Sequence, residues 1–262
     1  LQGIVLAKGE IIDGLSDKGV AVLNANDPNC QQWVKRAGQR QVRLFSYGNK
    51  VPEADYRCSA TRLLAGGSVA FTLYTPQGEI DAEIQLLGSH NAENALSAAA
   101  CALEAGASLD DVRIGLKQAT PVPGRLFPST GREGCRLLDD TYNANPDSFH
   151  AAIDVLMAAE GEKVMVAGEM RELGDETESS HREVGEYAAR HGVPLLLALG
   201  SDCAAMVEAY LEAGGLRAKH YSDREALEKD CVDLANSETV FLVKGSRGAR
   251  METVVAALSA EG

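Results

Sequence analysis

From Cys135 onward the chain repeats one unit: a short apolar run, a polar loop, then an amphipathic stretch of helical period. The apolar runs are Cys135 to Leu138, Lys163 to Ala167, Leu195 to Leu199 and Thr239 to Val243. The helical stretches are Ser148 to Ala158, about Glu178 to His191, Ala204 to Ala213, Arg224 to Leu234 and Met251 to Leu258. Strands alternating with helices predict a mainly parallel, doubly wound sheet. Such sheets hold ligands at the carboxyl ends of their strands. Here those ends are Asp139 to Asp147, Gly168 to Asp175, Gly200 to Asp202 and Lys244 to Gly248, all polar and several with glycine.

Upstream the texture differs. Gln2 to Leu15 reads as a helix with Ile4, Ala7, Ile11, Ile12 and Leu15 apolar; because the chain starts at Leu1, partway into it, the sequence reads as a fragment or a processed chain. Val20 to Leu23 suits a buried strand running into the polar loop Asn24 to Pro28, Gln31 to Ala37 a short helix, and Val42 to Tyr47 a second strand. Between Tyr56 and Leu87 the period drops to two. Val69, Phe71 and Leu73, then Ile80, Ala82, Ile84 and Leu86, alternate with smaller or polar residues, which predicts antiparallel sheet with turns at Ala65-Gly66-Gly67 and Thr75-Pro76-Gln77-Gly78. Asn91 to Ala105 is an alanine-rich helix ended by Gly106, and Ser108 with Asp111 forms a capping box for the next. Thr120-Pro121-Val122-Pro123-Gly124 breaks the pattern, and the domain boundary is expected there, giving residues 1–121 and 122–262. A length of 262 residues suits two domains.

With 38 acidic and 25 basic residues the net charge is −13, which disfavours nonspecific binding to nucleic acid or anionic membranes. No apolar stretch approaches the roughly 20 residues of a membrane-spanning helix, and no signal peptide is visible. The six cysteines, Cys30, Cys58, Cys101, Cys135, Cys203 and Cys231, are scattered without a C-x-x-C pair, which favours a reduced, cytoplasmic protein with buried thiols.

Neither G-x-G-x-x-G nor G-x-x-x-x-G-K-[ST] occurs, so no motif makes this chain a self-sufficient ATPase. Lys244-Gly245-Ser246-Arg247 after an apolar strand is either an anion-binding loop or a solvated one. Arg125, fixed behind Pro123-Gly124, can fork onto phosphate or carboxylate, although a surface arginine is the commoner case. His90 and His181 read equally as ligands or as caps and core residues; Asn91 and Asn94 read as base-reading amides or helix caps.

Taken in order, Ala7 to Ile11 with Lys8 inside it, Gly88 to Asn94, Pro123-Gly124-Arg125, Asp140-Thr141-Tyr142-Asn143-Ala144-Asn145-Pro146-Asp147, Glu172-Leu173-Gly174 and Lys244 to Arg247 resemble the Mur ligases. These ATP-dependent enzymes add amino acids to the peptidoglycan precursor. The Tyr-Asn-Ala-Asn-Pro segment is most similar to the branch that adds D-alanyl-D-alanine. The resemblance covers nearly the whole chain. It implies an α/β architecture: part of a central ATPase domain with an antiparallel segment, then a Rossmann-like doubly wound C-terminal domain. It also implies that an N-terminal domain and a P-loop segment of the same protein are missing, so that the chain alone does not turn over ATP.

The family reaction makes an acyl phosphate from a tripeptide carboxylate and the γ-phosphate of ATP, which the incoming amine then attacks. The resemblance implies ATP and Mg²⁺ as cofactors, with UDP-N-acetylmuramoyl-tripeptide and D-alanyl-D-alanine as substrates. It makes Lys8 a carbamylated metal ligand. It places His90, Asn91 and Asn94 at the adenine side, Arg125 at the phosphates, and Asp140, Tyr142 and Asn143 at ribose and phosphates, with Lys8, His90 and Arg125 the catalytic set. Asn145, Lys244, Ser246 and Arg247 fall near the incoming amino component. ATP is expected between the domains, with Thr120 to Gly124 as the hinge. Two other readings stand beside this one: a folate-polyglutamylating ligase of the same superfamily, and a noncatalytic ligand-binding module.

Overall fold

The computed structural model describes residues 2–40, 43–48, 50–64 and 68–259. Leu1, Val42 and the expected turn at Ala65-Gly66-Gly67 lie outside the described residues. The chain divides into two compact units, Leu1–Thr120 and Pro121–Gly262.

In the first unit, α1 (Gln2–Asp13), β1 (Val20–Asn24), α2 (Cys30–Gly38) and β2 (Arg43–Tyr47) form a small layer in which β1 and β2 pair in parallel. Ile12, Leu23, Cys30 and Ala37 close its core. Next come the short strands β3 (Arg57–Cys58) and β4 (Arg62–Leu63), then β5 (Val69–Thr75) and β6 (Gly78–Ile84). β5 and β6 form the hairpin that the period-two pattern predicts, with Thr75 opposite Gly78 across the turn. Val69, Phe71, Leu73, Ile80, Ala82 and Ile84 all point to one face. That face packs on α3 (His90–Glu104), through Leu96, Ala99, Ala100 and Leu103, and on α4 (Leu109–Lys117). The Ser108 and Asp111 capping box starts α4, and Gly106 at φ +102° ends the helix before it.

The second unit is a six-stranded sheet with five parallel strands: β8 (Arg136–Asp140), β9 (Glu162–Gly168), β10 (Leu196–Leu199), β11 (Ala218–Tyr221) and β12 (Thr239–Lys244). The sixth, β7 (Phe127–Thr130), pairs antiparallel with β8 at one edge. The helices α5 (Pro146–Ala158), α6 (Thr177–Arg190), α7 (Cys203–Glu212), α8 (Arg224–Leu234) and α9 (Glu252–Leu258) connect and cover it. The order is β11-β10-β9-β12-β8-β7. The last strand to form in sequence, β12, is thus inserted between β9 and β8, and every one of its residues is buried. A central strand covered on both faces needs an unbroken apolar run, and Val240-Phe241-Leu242-Val243 supplies it. This insertion sets the polar end of β12 beside the ends of β8 and β9.

Cys30, Cys135, Cys203 and Cys231 are buried thiols whose pKa burial pushes up, that of Cys231 to about 12. Among the described residues no helix is long and apolar enough to cross a membrane.

Candidate functional site

The second unit builds its polar end around Arg125. A turn closed by the Arg125 N–H donating to the Val122 carbonyl (3.0 Å) carries the residue out of the linker. The flanking amides are then held by consecutive carboxylates at the end of β8. Gly124 N–H donates to Asp139 Oδ2 (3.0 Å) and Leu126 N–H to Asp140 Oδ1 (3.1 Å). The Tyr142 N–H donates back to the Gly124 carbonyl, also at 3.0 Å. The backbone around Arg125 is therefore anchored on both sides, while its guanidinium stays exposed and lies over the Tyr142 ring, 4.3 Å from the centroid. Two positions in this arc have positive φ, Gly124 at +79° and buried Leu126 at +49°. A Cβ at Gly124 would sit 3.2 Å from Tyr142 Cβ, so glycine lets the two segments approach.

Asp140 has a second partner. The Lys244 ammonium at the end of β12 lies 2.5 Å from Asp140 Oδ2 and donates to the Asn143 carbonyl at 3.0 Å, with the Phe149 ring below it. Lys244 is only 1% exposed. Burial pushes its pKa down, the Asp140 carboxylate opposes that, and the Arg125 charge adds to the lowering. This lysine therefore acts inside the fold, joining β12 to the loop after β8. Asn143 turns its side-chain oxygen onto the Ala144 N–H (2.9 Å). Asn145 makes a capping box with Ser148 and, with Pro146 following, starts α5.

The loop after β12 is tied to the loop after β9. Ser246 donates its N–H (3.0 Å) and its hydroxyl (2.6 Å) to the Glu169 carbonyl. Arg247 is exposed. His181 is fully buried, accepts the Met170 N–H at Nε2 (3.0 Å) and lies 2.7 Å from the Thr177 carbonyl at Nδ1. Those partners assign the proton to Nδ1, and the core reading of His181 holds.

In the first unit, His90 and Asn91 open α3, and His90 borders a cleft of about 400 Å³ with Ser59, Thr61 and Glu93. Asn91 donates to the Leu87 carbonyl (2.7 Å) and Asn94 donates to Asn91 Oδ1 (3.0 Å), so the two amides form one chain, with Asn94 exposed. Lys8 is exposed on α1. Among the described residues no group of three or more His, Cys, Asp or Glu is arranged to hold a metal.

Within the second unit the structure thus gathers Arg125, Asp140, Tyr142, Asn143 and Lys244. Sequence reasoning put Asp139 and Glu169 in the polar strand-end loops but gave neither a role; the Asp139 carboxylate fastens the Gly124 turn, and Glu169 joins loops. That reasoning missed Arg224, which donates to the Ala249 carbonyl (2.7 Å), the Arg250 carbonyl (2.9 Å) and Thr253 Oγ1 (3.0 Å). The signal for Glu169 was its place directly after a strand-ending glycine.

Residues 1–102 match the model of the Mur ligase middle domain, and residues 124–247 that of the Mur ligase, glutamate ligase domain. The chain belongs to the Mur ligase family. It is 40% identical to the UDP-N-acetylmuramoyl-tripeptide--D-alanyl-D-alanine ligase of Escherichia coli, covering 100% of this chain and 57% of that protein. The enzyme of the same name from Haemophilus influenzae is 39% identical over 98% of this chain and 55% of its own length. A crystal structure of MurF from Acinetobacter baumannii superposes with a TM-score of 0.86 at 33% identity, covering 97% of this chain and 55% of that one. MurF from Thermotoga maritima in complex with ADP shares the fold, with a TM-score of 0.80 at 22% identity over 97% of this chain and 56% of that one. The chain spans a little over half the length of these relatives.

Proposed function

We propose that this chain is a portion of a cytoplasmic ATP-dependent ligase that joins D-alanyl-D-alanine to UDP-N-acetylmuramoyl-tripeptide. The observation that carries the reading is the anchoring of Arg125: Gly124 N–H on Asp139, Leu126 N–H on Asp140, and an exposed guanidinium over Tyr142. In such a ligase the γ-phosphoryl group passes from ATP to the tripeptide carboxylate, giving an acyl phosphate and ADP. The dipeptide amine then attacks the acyl carbon, phosphate leaves, and the amine loses its proton as the amide forms. Negative charge grows on the transferring phosphoryl group and then on the oxygen of the tetrahedral carbon. A cation whose backbone is already fixed stabilises that charge without reorganising as the reaction proceeds.

In this account Arg125 contacts phosphate oxygens, with Tyr142 and Asn143 beside it at ribose and phosphates. Asp140 acts on that site through Leu126 and Lys244. His90, Asn91 and Asn94 meet the adenine side of the nucleotide; the cleft beside His90 at the start of α3 and the exposed Asn94 amide suit a base that offers both donors and acceptors. Ser246 and Arg247 receive the dipeptide, whose carboxylate calls for a cation, and Asn145 and Lys244 hold the adjoining loop. Mg²⁺ bound with the nucleotide would neutralise phosphate charge. Carbamylation of Lys8 would replace its cation with oxygen ligands of the hard kind that Mg²⁺ prefers.

The test is phosphate release by the full-length protein containing this chain, with Mg-ATP, the UDP-tripeptide and D-alanyl-D-alanine supplied singly and together. Release that requires both substrates supports the ligase. A folded full-length protein that releases no phosphate with all three present contradicts it.

A further inference from the structure

Three strand-end loops of the second unit meet on one residue that the account above leaves without a role. Glu169 follows β9 directly. Its carbonyl receives both donors of Ser246 from the loop after β12 (3.0 and 2.6 Å). Its carboxylate turns the other way, and Oε1 accepts the Ser201 hydroxyl and the Asp202 N–H from the loop after β10, both at 3.2 Å. Oε2 lies 3.7 Å from the Arg171 guanidinium. The next amide, Met170 N–H, is fixed by the buried imidazole of His181. Gly200 makes room for this arrangement, since a Cβ there would stand 2.5 Å from Glu169 Oε1.

A carboxylate that is 16% exposed and bonded to a neighbouring loop, while its own carbonyl holds another, leaves those loops little independent freedom. We infer that Glu169 is a positioning residue that sets the loops after β9, β10 and β12 as one unit for the incoming amine substrate. This rests on the ligase reading and extends it. Glu169 touches neither reactant; it acts through Ser246 and thereby on the placement of Arg247. The part that matters is the acceptor Oε1, because Oε2 bonds to neither loop.

The experiment is steady-state kinetics of the full-length protein with Glu169→Ala, Glu169→Gln and Ser201→Ala. In Glu169→Ala the KM for D-alanyl-D-alanine rises about tenfold or more, within the loss that misplacement by an ångström can cause. The KM for ATP and for the UDP-tripeptide stays within about twofold, because the residues assigned to them keep their own supports. Glu169→Gln retains an oxygen for Ser201 and Asp202 and restores the dipeptide KM, while Ser201→Ala, which removes one of the two bonds, falls between. A residue that only stabilised the fold would lower kcat in proportion to the active fraction and leave every KM unchanged; that result overturns the inference. So does Glu169→Gln behaving like Glu169→Ala, which would make the charge itself the acting element. If the wild-type protein has no ligase activity, the ligase reading fails separately, and hydrogen exchange in the 262-residue chain then decides the loop coupling. Faster exchange of the Asp202 and Ser246 amides in Glu169→Ala, but not in Glu169→Gln, upholds the coupling, and unchanged exchange refutes it.

Discussion

Lys244 and Asp140, 104 residues apart in the chain, are register partners on adjacent parallel strands, and their charged atoms lie 2.5 Å apart in a buried environment. The pair exists because β12 is inserted beside β8. It fixes the loop that carries Tyr142 and Asn143, and through Asp140 Oδ1 it also fixes the segment that carries Arg125.

Removing one partner should be costly. Lys244→Met leaves the Asp140 carboxylate buried without its cation and is expected to destabilise the second unit by about 3–5 kcal/mol. Adding Asp140→Asn keeps an oxygen for the Leu126 N–H, removes the orphaned charge and should recover part of the loss. Urea unfolding of the two variants and the wild type measures both.

The same lysine makes stability depend on alkaline pH. Its folded pKa lies below the ordinary 10.5, so between the two values the unfolded chain binds the proton more readily than the folded one. The contribution is fully present above 10.5 and is lost as pH falls through the folded value, so stability from this group rises with pH across that window. Unfolding free energies of wild type and Lys244→Met, compared through the window, should show this rise only in the wild type.

Gly124→Ala tests the approach of the Arg125 turn to the loop after β8. At φ +79°, with Tyr142 Cβ 3.2 Å from the added methyl, the substitution should cost about 1–2 kcal/mol. In the full-length protein it should lower ligase turnover by displacing Arg125. Thermal unfolding and phosphate release at saturating substrates measure the two effects.

How much of this was legible in the chain follows the burial of each element. β12 was readable because both its faces are covered, so its residues form an unbroken apolar run. β5 and β6 were readable because one face is covered and the other solvated. β7 and β11 were not. Both are edge strands: β7 carries Pro128, and β11 carries Lys219 and His220, the devices by which edges avoid further pairing and which erase the strand pattern. At the site, Arg125 and the Asp140 to Asp147 segment stood out by their turn formers and carboxylates. Lys244 stood out as a strand-end cation, but its burial against Asp140 depends on register between strands a hundred residues apart, which no local pattern encodes. Glu169 was placed in a strand-end loop but its role was not readable for the same reason, since its partners come from two other loops.

Thiol reactivity should follow burial. Cys101 is exposed, whereas Cys135, Cys203 and Cys231 are buried with their thiol pKa values pushed up, which suppresses the reactive thiolate. Brief alkylation of the native chain followed by peptide mapping should find Cys101 modified and those three protected until denaturant is added.

Asn94→Ala in the full-length protein removes an exposed amide in the first turns of α3. Loss of one such hydrogen bond, about 0.5–1.5 kcal/mol, should weaken ATP binding by roughly two- to twelvefold. Unchanged affinity in a nucleotide titration would return Asn94 to a purely structural role.

The most direct measurement is mass analysis of the nucleotide-sugar product formed by the full-length protein from Mg-ATP, UDP-N-acetylmuramoyl-tripeptide and an equal mixture of D-alanyl-D-alanine and L-glutamate. The account predicts a single product extended by the dipeptide, with ADP formed in equal amount and both reduced together by Arg125→Ala. Extension by glutamate, or no extension by a folded and nucleotide-binding protein, would contradict it.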